Sequence, residues 1–419
     1  MLTRRQAIAI AAAGALLVLG GGVAVGTLIA GGDGAPPVAR PAPTATAPTS
    51  TAGSTPPTLP SPSSTLPSTT TAPVPVGAWS RVPSAPLPPG GSYQAVWTGS
   101  GLLVHGPAHD VQGGGRSVGA LYDPATRRWT RIPAAPYPYR TIEGGYHAIW
   151  TGTELLGWGE GLDGAYNPST RTWRPLSPGV SAPSVFVWTG RQVLTWGGGC
   201  CGADVATGAA YTPSTDTWQS LPAAPLAARH TSGTWTGREM VVVGGAAETG
   251  TRYFRDAAAY DPGTRRWRSL PPLPSARTGA TVTAAGGRIV VLGGYADDGT
   301  GYPRVAADAL ILDPGARRWR SIHAAAAART GHVAVRTGNQ VFVWGGRAWR
   351  NGTWVTLSTG ILLDPATGTS RTLPTSPLGA RSWSTAVRAG TAVLVWSGLK
   401  SGETATLDGA LFVPSSPAP

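Results

Sequence analysis

Short apolar runs bounded by turn residues recur from Ala95 onward, always in the same order. A first run ends in a tight turn: AVWTGS at Ala95, AIWTGT at Ala148, FVWTGR at Phe186, GTWTGR at Gly233, TAAGGR at Thr283, AVRTGN at Ala334 and AVRAGT at Ala386. Glycine there supplies the positive φ that a two-residue hairpin needs. A second, unbroken apolar run follows and stops at glycine: LLVHG, LLGWG, VLTWGG, MVVVGG, IVVLGG, VFVWGG and VLVWSG. Continuous apolar strands of this length are buried on both faces. A loop of variable length then leads to a third strand carrying Tyr. Asp-Pro turns the chain into a fourth strand carrying Trp, because Pro fixes φ and cannot extend a ladder.

That third-to-fourth strand phrase is itself a repeat. It reads YDPATRRW at Tyr122–Trp129, YNPSTRTW at Tyr166–Trp173, YTPSTDTW at Tyr211–Trp218 and YDPGTRRW at Tyr260–Trp267. It decays to LDPGARRW at Leu312–Trp319, LDPATGTS at Leu363–Ser370 and FVP at Phe412–Pro414. The tryptophans at 129, 173, 218, 267 and 319 are 44, 45, 49 and 52 residues apart. A period near fifty built from four short strands predicts an all-β propeller with one blade per repeat. Seven glycine-stopped strands are present, but the last third strand runs into the C-terminus. The missing fourth strand stands at the other end: GAWSRVP, with Trp79, matches RRWTRIP and RRWRSLP. The expected fold is therefore a seven-bladed propeller closed by its N-terminal strand, which removes the free sheet edges.

These residues resemble the kelch-repeat family. The marks are the double glycine after an apolar strand (Gly244-Gly245, Gly293-Gly294, Gly345-Gly346), the Tyr-Asp, the Trp about six residues later, and Arg at the start of the first strand (Arg229, Arg277, Arg329, Arg381). The resemblance runs from Trp79 to the C-terminus, and blades 1 and 2 depart from it, since LLVHGP and LLGWGE lack the doublet. It implies a kelch-type propeller. For activity it implies no single answer, because the family includes galactose-oxidase-like enzymes beside pure binding proteins.

Composition agrees with a turn-dense β-chain: 59 Gly and 40 Pro among 419 residues, with 17 Trp as core material. The net charge of +13 comes from 33 basic against 20 acidic residues, and Lys400 is the sole lysine. Nucleic-acid binding wants basic residues clustered on one face. Here Arg is scattered, much of it in the Asp-Pro turns (Arg127, Arg128, Arg265, Arg266, Arg317, Arg318), which reads as a solvated rim rather than a nucleic-acid site.

Before the propeller stand two other segments. In residues 1–34, Arg4-Arg5 precede an uncharged apolar run from Ala7 to Ala30. A spanning helix needs about 20 apolar residues, so this run is expected to be an uncleaved membrane anchor with its N-terminus cytoplasmic. The alternative is a cleaved export signal, after which the propeller is secreted. Residues 35–76 are almost wholly Pro, Thr, Ser and Ala, which makes a disordered stalk that cannot bury a core. The propeller is assigned to 77–419.

Candidate chemistry is sparse. Cys200 and Cys201 are the only cysteines. Their Cα atoms are about 3.8 Å apart, below the usual disulfide range of about 4.4–6.8 Å, so a vicinal bridge would be strained. Oxidised and reduced forms both stay open. The six histidines, His105, His109, His147, His230, His323 and His332, occupy non-equivalent blade positions, and with no further Cys a metal quartet cannot be assembled. No metal, no cofactor and no catalytic residue is expected. No Gly-x-Ser-x-Gly elbow, His-Glu-x-x-His or P-loop occurs.

Strand alternation brings the starts of the first strands, the ends of the second and the starts of the third to one face. Arg140, Arg229, Arg277, Arg329 and Arg381 lie there with Asp163, Asp256, Asp308 and Asp408; blades 2, 4, 5 and 7 each own one of both, and Arg–Asp pairs that knit the blades together, such as Arg277 with Asp308, are expected. Blade 6 has Thr359 in place of Asp, so Arg329 is the arginine expected to meet a ligand. The longest loops on that face, in blades 4 to 6, interleave aromatics with arginine: Tyr253, Phe254, Arg255, then Tyr295, Tyr302, Arg304, then Arg347, Trp349, Arg350, Trp354. Such loops above a rigid scaffold suit a glycan, peptide or protein ligand. The expectation is an extracytoplasmic binding propeller at the cell envelope. A galactose-oxidase-like or sugar-modifying enzyme and a structural envelope scaffold are the alternatives.

Overall fold

The computed structural model describes residues 17–19, 22–24, 76–89, 93–109, 115–137, 146–159, 163–180, 182–200, 203–247, 250, 252–297, 304–313, 317–323, 327–401 and 405–415. Seven antiparallel blades of four strands follow in chain order. Blade 1 is Gln94–Trp97, Leu102–His109, Gly115–Asp123 and Arg128–Arg131. Blade 2 starts at His147–Trp150, blade 3 at Pro183–Trp188, blade 4 at His230–Trp235, blade 5 at Thr281–Ala285 and blade 6 at Val333–Thr337. Blade 7 combines Thr385–Ala389, Ala392–Trp396 and Gly409–Pro414 with the N-terminal strand Gly77–Val82. That strand pairs with the last one over six positions, from Gly77 opposite Pro414 to Val82 opposite Gly409. The expected closure is what forms.

Burial follows the expected pattern. Second strands are buried on both faces, as in Met240–Ala246, while an outer strand such as Arg266–Leu270 keeps only its last residue buried and its Trp half-buried. The core is not central but divided into seven clusters, each shared by two neighbouring blades. Val82 enters the cluster between blades 7 and 1, and Trp79 packs on the one between blades 6 and 7.

The repeated phrase has a double task. Within a blade, Tyr and Trp stand opposite each other on adjacent strands, as Tyr260 does to Trp267 with ring centroids 5.2 Å apart. The turn between them is closed by the side chain of Asp123, Asn167, Asp261 or Asp364, which accepts the N–H two residues on at 2.8 to 2.9 Å. Two residues before the Trp the backbone is left-handed, at Arg127, Arg171, Asp216, Arg265 and Arg317, with φ between 50 and 58°. Between blades, the Trp ring N–H donates to a carbonyl of the preceding blade's exit segment. Trp129 bonds Pro83, Trp173 bonds Pro133, Trp267 bonds Pro222 and Trp319 bonds Pro271, all at 2.8 to 3.0 Å. Trp79 makes the same bond to Pro374 at 3.0 Å, so the closing strand carries the same latch.

The double glycines stitch blades through the main chain. Gly294 N–H donates to Arg329 O at 2.9 Å, and Gly346 N–H to Arg381 O at 2.7 Å, each reaching the next blade. A Cβ on Gly293 would lie 2.3 Å from Arg329 O, so no other residue fits. Blade 1 lacks the doublet, and its second and third strands instead stay paired as far as His109 and Gly115.

Most of the expected anchor and stalk lies outside the described residues. Within Ala7–Ala30, Leu17–Leu19 and Gly22–Ala24 pair as a short hairpin, and the second of these pairs with Gly233 and Thr234 of blade 4. Among the described residues no helix is long and apolar enough to cross a membrane.

Candidate functional site

The face formed by first-strand starts is built on a ring of buried arginines. Arg229, Arg277, Arg329 and Arg381 are 1 to 3 % exposed. Arg229 donates to both carboxylate oxygens of Asp256, at 3.0 Å for the longer bond, Arg277 to Asp308 at 2.8 Å and Arg381 to Asp408 at 2.9 Å. Each pair lies within one blade and ties first strand to third, as the one-Arg, one-Asp assignment of blades 4, 5 and 7 anticipates. The link between blades is the arginine's own carbonyl, held by the preceding blade's glycine. Burial pushes Asp308 and Asp408 up, but arginine, together with Ser321 at Asp308, outweighs it and holds both below the usual range. Arg140 lies outside the described residues, and Asp163 accepts the N–H of Gly159.

Arg329 is hydrogen-bonded within its own blade. Its guanidinium donates to Gly345 O and Thr359 O, both at 2.9 Å, so main-chain oxygens take the place of the missing Asp. Burial, and then the charge of Arg350, lower its pKa to about 10. The absence of Asp from blade 6 changes the acceptor and not the role.

The aromatic loops behave unequally. In blade 6 the expected loop is a regular hairpin, Arg347–Arg350 with Thr353–Thr356, closed by Asn351-Gly352 with φ of 50 and 76°. Asn-Gly is the pair best suited to a turn with two positive φ angles. The hairpin sets Trp349 opposite Trp354, edge to face at 5.3 Å, and leaves Trp349 40 % exposed. Trp354 also meets Tyr295 of blade 5 at 6.3 Å. Arg350 is exposed at the hairpin end. Phe254 goes the other way: it is 7 % exposed, beneath the Arg229 guanidinium at 3.7 Å, with Arg252 at 4.9 Å. Large apolar rings seek cover, and Phe254 finds it. Tyr253 is half-buried near Asp297, where burial and then the Asp297 charge raise its hydroxyl pKa. Tyr302 and Cys201 lie outside the described residues, as does the side chain of Cys200, whose backbone pairs with Ala203.

One residue of this face, Trp383, went unremarked in the sequence. Arg347 lies over Trp354 at 5.2 Å and over Trp383 of blade 7 at 5.1 Å. Trp383 has φ 51° and is half-buried. The aromatic surface thus runs Tyr295, Trp354, Trp349, Trp383, one blade further on than expected. A signal was available: Arg-x-Gly opens blades 5 and 6, and Arg-x-Trp opens blade 7. At the opposite, turn-bearing end a cleft of about 260 Å³ opens between blades 4 and 5. Three of its five arginines, Arg238, Arg268 and Arg288, are ion-paired with Asp261, Glu239 and Asp313.

A family model described as the KLHDC2/KLHL20/DRC7 Kelch-repeats domain matches residues 184–398, just over half of the chain and spanning blades 3 to 7. Among solved structures the chain is similar to one titled "Structure of YjhT", at 14 % identity over 80 % of this chain and 97 % of that one, with a TM-score of 0.48. No curated protein matches the chain.

Proposed function

This chain belongs to the kelch-repeat family, and from that premise we propose that it is a non-enzymatic binding propeller of the cell envelope. Its ligand, a glycan, peptide or protein, docks on the aromatic crescent of blades 5 to 7. The observation that carries this reading is Trp349. A 40 % exposed indole on a tightly turned hairpin, edge-on to a second indole, is poorly explained by packing. Aromatic side chains of this kind are the usual anchors of recognition surfaces, because a large rigid area is ordered at little entropic cost. Trp349→Ala is expected to cost about 2 kcal/mol of binding free energy or more, as truncation of a hot-spot anchor does. Screening the purified chain and this variant on glycan and peptide arrays checks it. Equal signals from both would remove the crescent from the binding site.

An extracytoplasmic, membrane-anchored placement is part of the proposal. It rests on Arg4-Arg5 ahead of the uncharged run Ala7–Ala30. Fractionation is expected to find the protein in the membrane, with its propeller open to protease added to intact cells. A soluble, protected protein, its N-terminal segment held in blade 4 as the described hairpin is, would overturn this placement.

A further inference from the structure

We propose that the crescent reads an acidic sugar, with Arg347 taking the carboxylate, Trp383 positioning Arg347, and Trp349 stacking the ring. The inference rests on the binding reading above and names its ligand class. Trp383 occupies the third position of the segment that opens blade 7, after Arg381. The counterparts in blades 5 and 6 are Gly279 and Gly331, each with φ 61°. Trp383 adopts the same left-handed backbone at φ 51°, where a bulky L-residue is an outlier. Strain of this kind persists at sites where the side chain has work to do.

Trp383 contributes to none of the seven core clusters. Its indole lies against Gly331 of blade 6, with ring atoms 3.1 to 3.2 Å from where a Cβ would stand, and from there it covers Arg347. Trp354 covers Arg347 as well. The Arg347 backbone is fixed in both directions to Thr330, at 2.7 and 2.9 Å. Among the described residues the Arg347 guanidinium has no hydrogen bond or ion pair, whereas every described arginine of the ring is engaged. A guanidinium immobilised between indoles keeps its planar N–H edge for an in-plane acceptor, and carboxylate is the matching fork. Arg350, three positions along the same strand, adds positive charge nearby.

The neighbouring surface favours a sugar over a peptide. The Arg347–Arg350 strand is paired with Thr353–Thr356 on one side, and Arg347 itself is paired with Thr330. Little main chain is left beside Arg347 to read a peptide backbone. What remains is a flat exposed indole beside a guanidinium, which fits the C–H face of a pyranose bearing a carboxylate.

The test is calorimetric titration of the full chain with a β-linked glucuronyl disaccharide, its methyl ester, the neutral glucosyl disaccharide, and an Asp/Glu-rich hexapeptide. The acid is expected to bind at least about 10-fold more tightly than the ester and the neutral sugar, a ratio equal to about 1.4 kcal/mol. Arg347→Lys keeps the charge but not the fork, and is expected to lose about 10-fold or more for the acid alone. Trp383→Gly restores the residue of blades 5 and 6. It is expected to lose a similar factor while the melting temperature holds or rises. If Trp383→Gly keeps affinity and melts earlier, the residue is structural and its assignment fails. Equal, Trp349-dependent binding of all three sugars would leave the binding reading standing and overturn the acid-reading one. Binding of the hexapeptide alone would overturn the sugar class. Binding of none of the four would remove both.

Discussion

Deleting Gly77–Val82 is expected to lower the melting temperature by on the order of 10 °C and to drive association. The strand supplies six ladder positions to blade 7, the Val82 side chain to one inter-blade core and Trp79 to another. Trp79 packs against Phe412 at 5.1 Å, Phe342 at 5.9 Å and Trp344 at 6.2 Å, and latches onto Pro374. Losing one large aromatic from such a site typically costs about 3–5 kcal/mol, and about 2–4 °C per kcal/mol applies to chains of roughly 150–250 residues. The deletion also bares the edge of Gly409–Pro414, and an open edge recruits other strands. Calorimetry and light scattering read both effects. An unchanged melting temperature with a monodisperse sample would mean that the ring holds closed without this strand. Trp79→Ala alone is the milder version and leaves the ladder in place.

The second large effect concerns the buried arginines. Arg277→Ala removes a side chain 1 % exposed from a carboxylate whose side chain is 30 % exposed. Breaking a buried pair typically costs about 3–5 kcal/mol, and the exposure of Asp308 places this case near the lower end. Arg329→Ala is expected to cost a similar amount by another route, because the carbonyls of Gly345 and Thr359 each lose a buried donor. Both variants are therefore expected to unfold earlier in denaturant, with Arg277→Lys rescuing little, since an ammonium cannot span carboxylate and carbonyl together. Should Arg329→Ala keep its stability and weaken ligand binding, the guanidinium would be reading a ligand and not holding blade 6.

How far the site could be read from the residues depends on how local each decision is. The Asp-Pro turn, the left-handed residue two before the Trp and the glycine doublet are settled within a few residues of themselves. They repeat legibly, and so does the number of blades. The acceptors of Arg329, the oxygens of Gly345 and Thr359, could not be read from the sequence, because main-chain atoms have no sequence signature. Phe254 and Trp349 look alike in sequence, as aromatics beside arginine on the same face. Phe254 is covered by Arg229 of its own blade, while Trp349 projects from a hairpin that nothing described covers.

By itself, then, the sequence determined that this chain makes seven four-stranded blades and closes them with its own N-terminal strand. The reason is that each blade's pattern is written in short-range turn chemistry and in burial on both faces of one strand. Only the tertiary structure decided which aromatics stay in reach of a ligand, and that Trp383 and Trp354 from neighbouring blades hold Arg347 between them. The decisive part, the contact of Arg347 with Trp383 thirty-six residues on, is set by how blade 7 packs on blade 6.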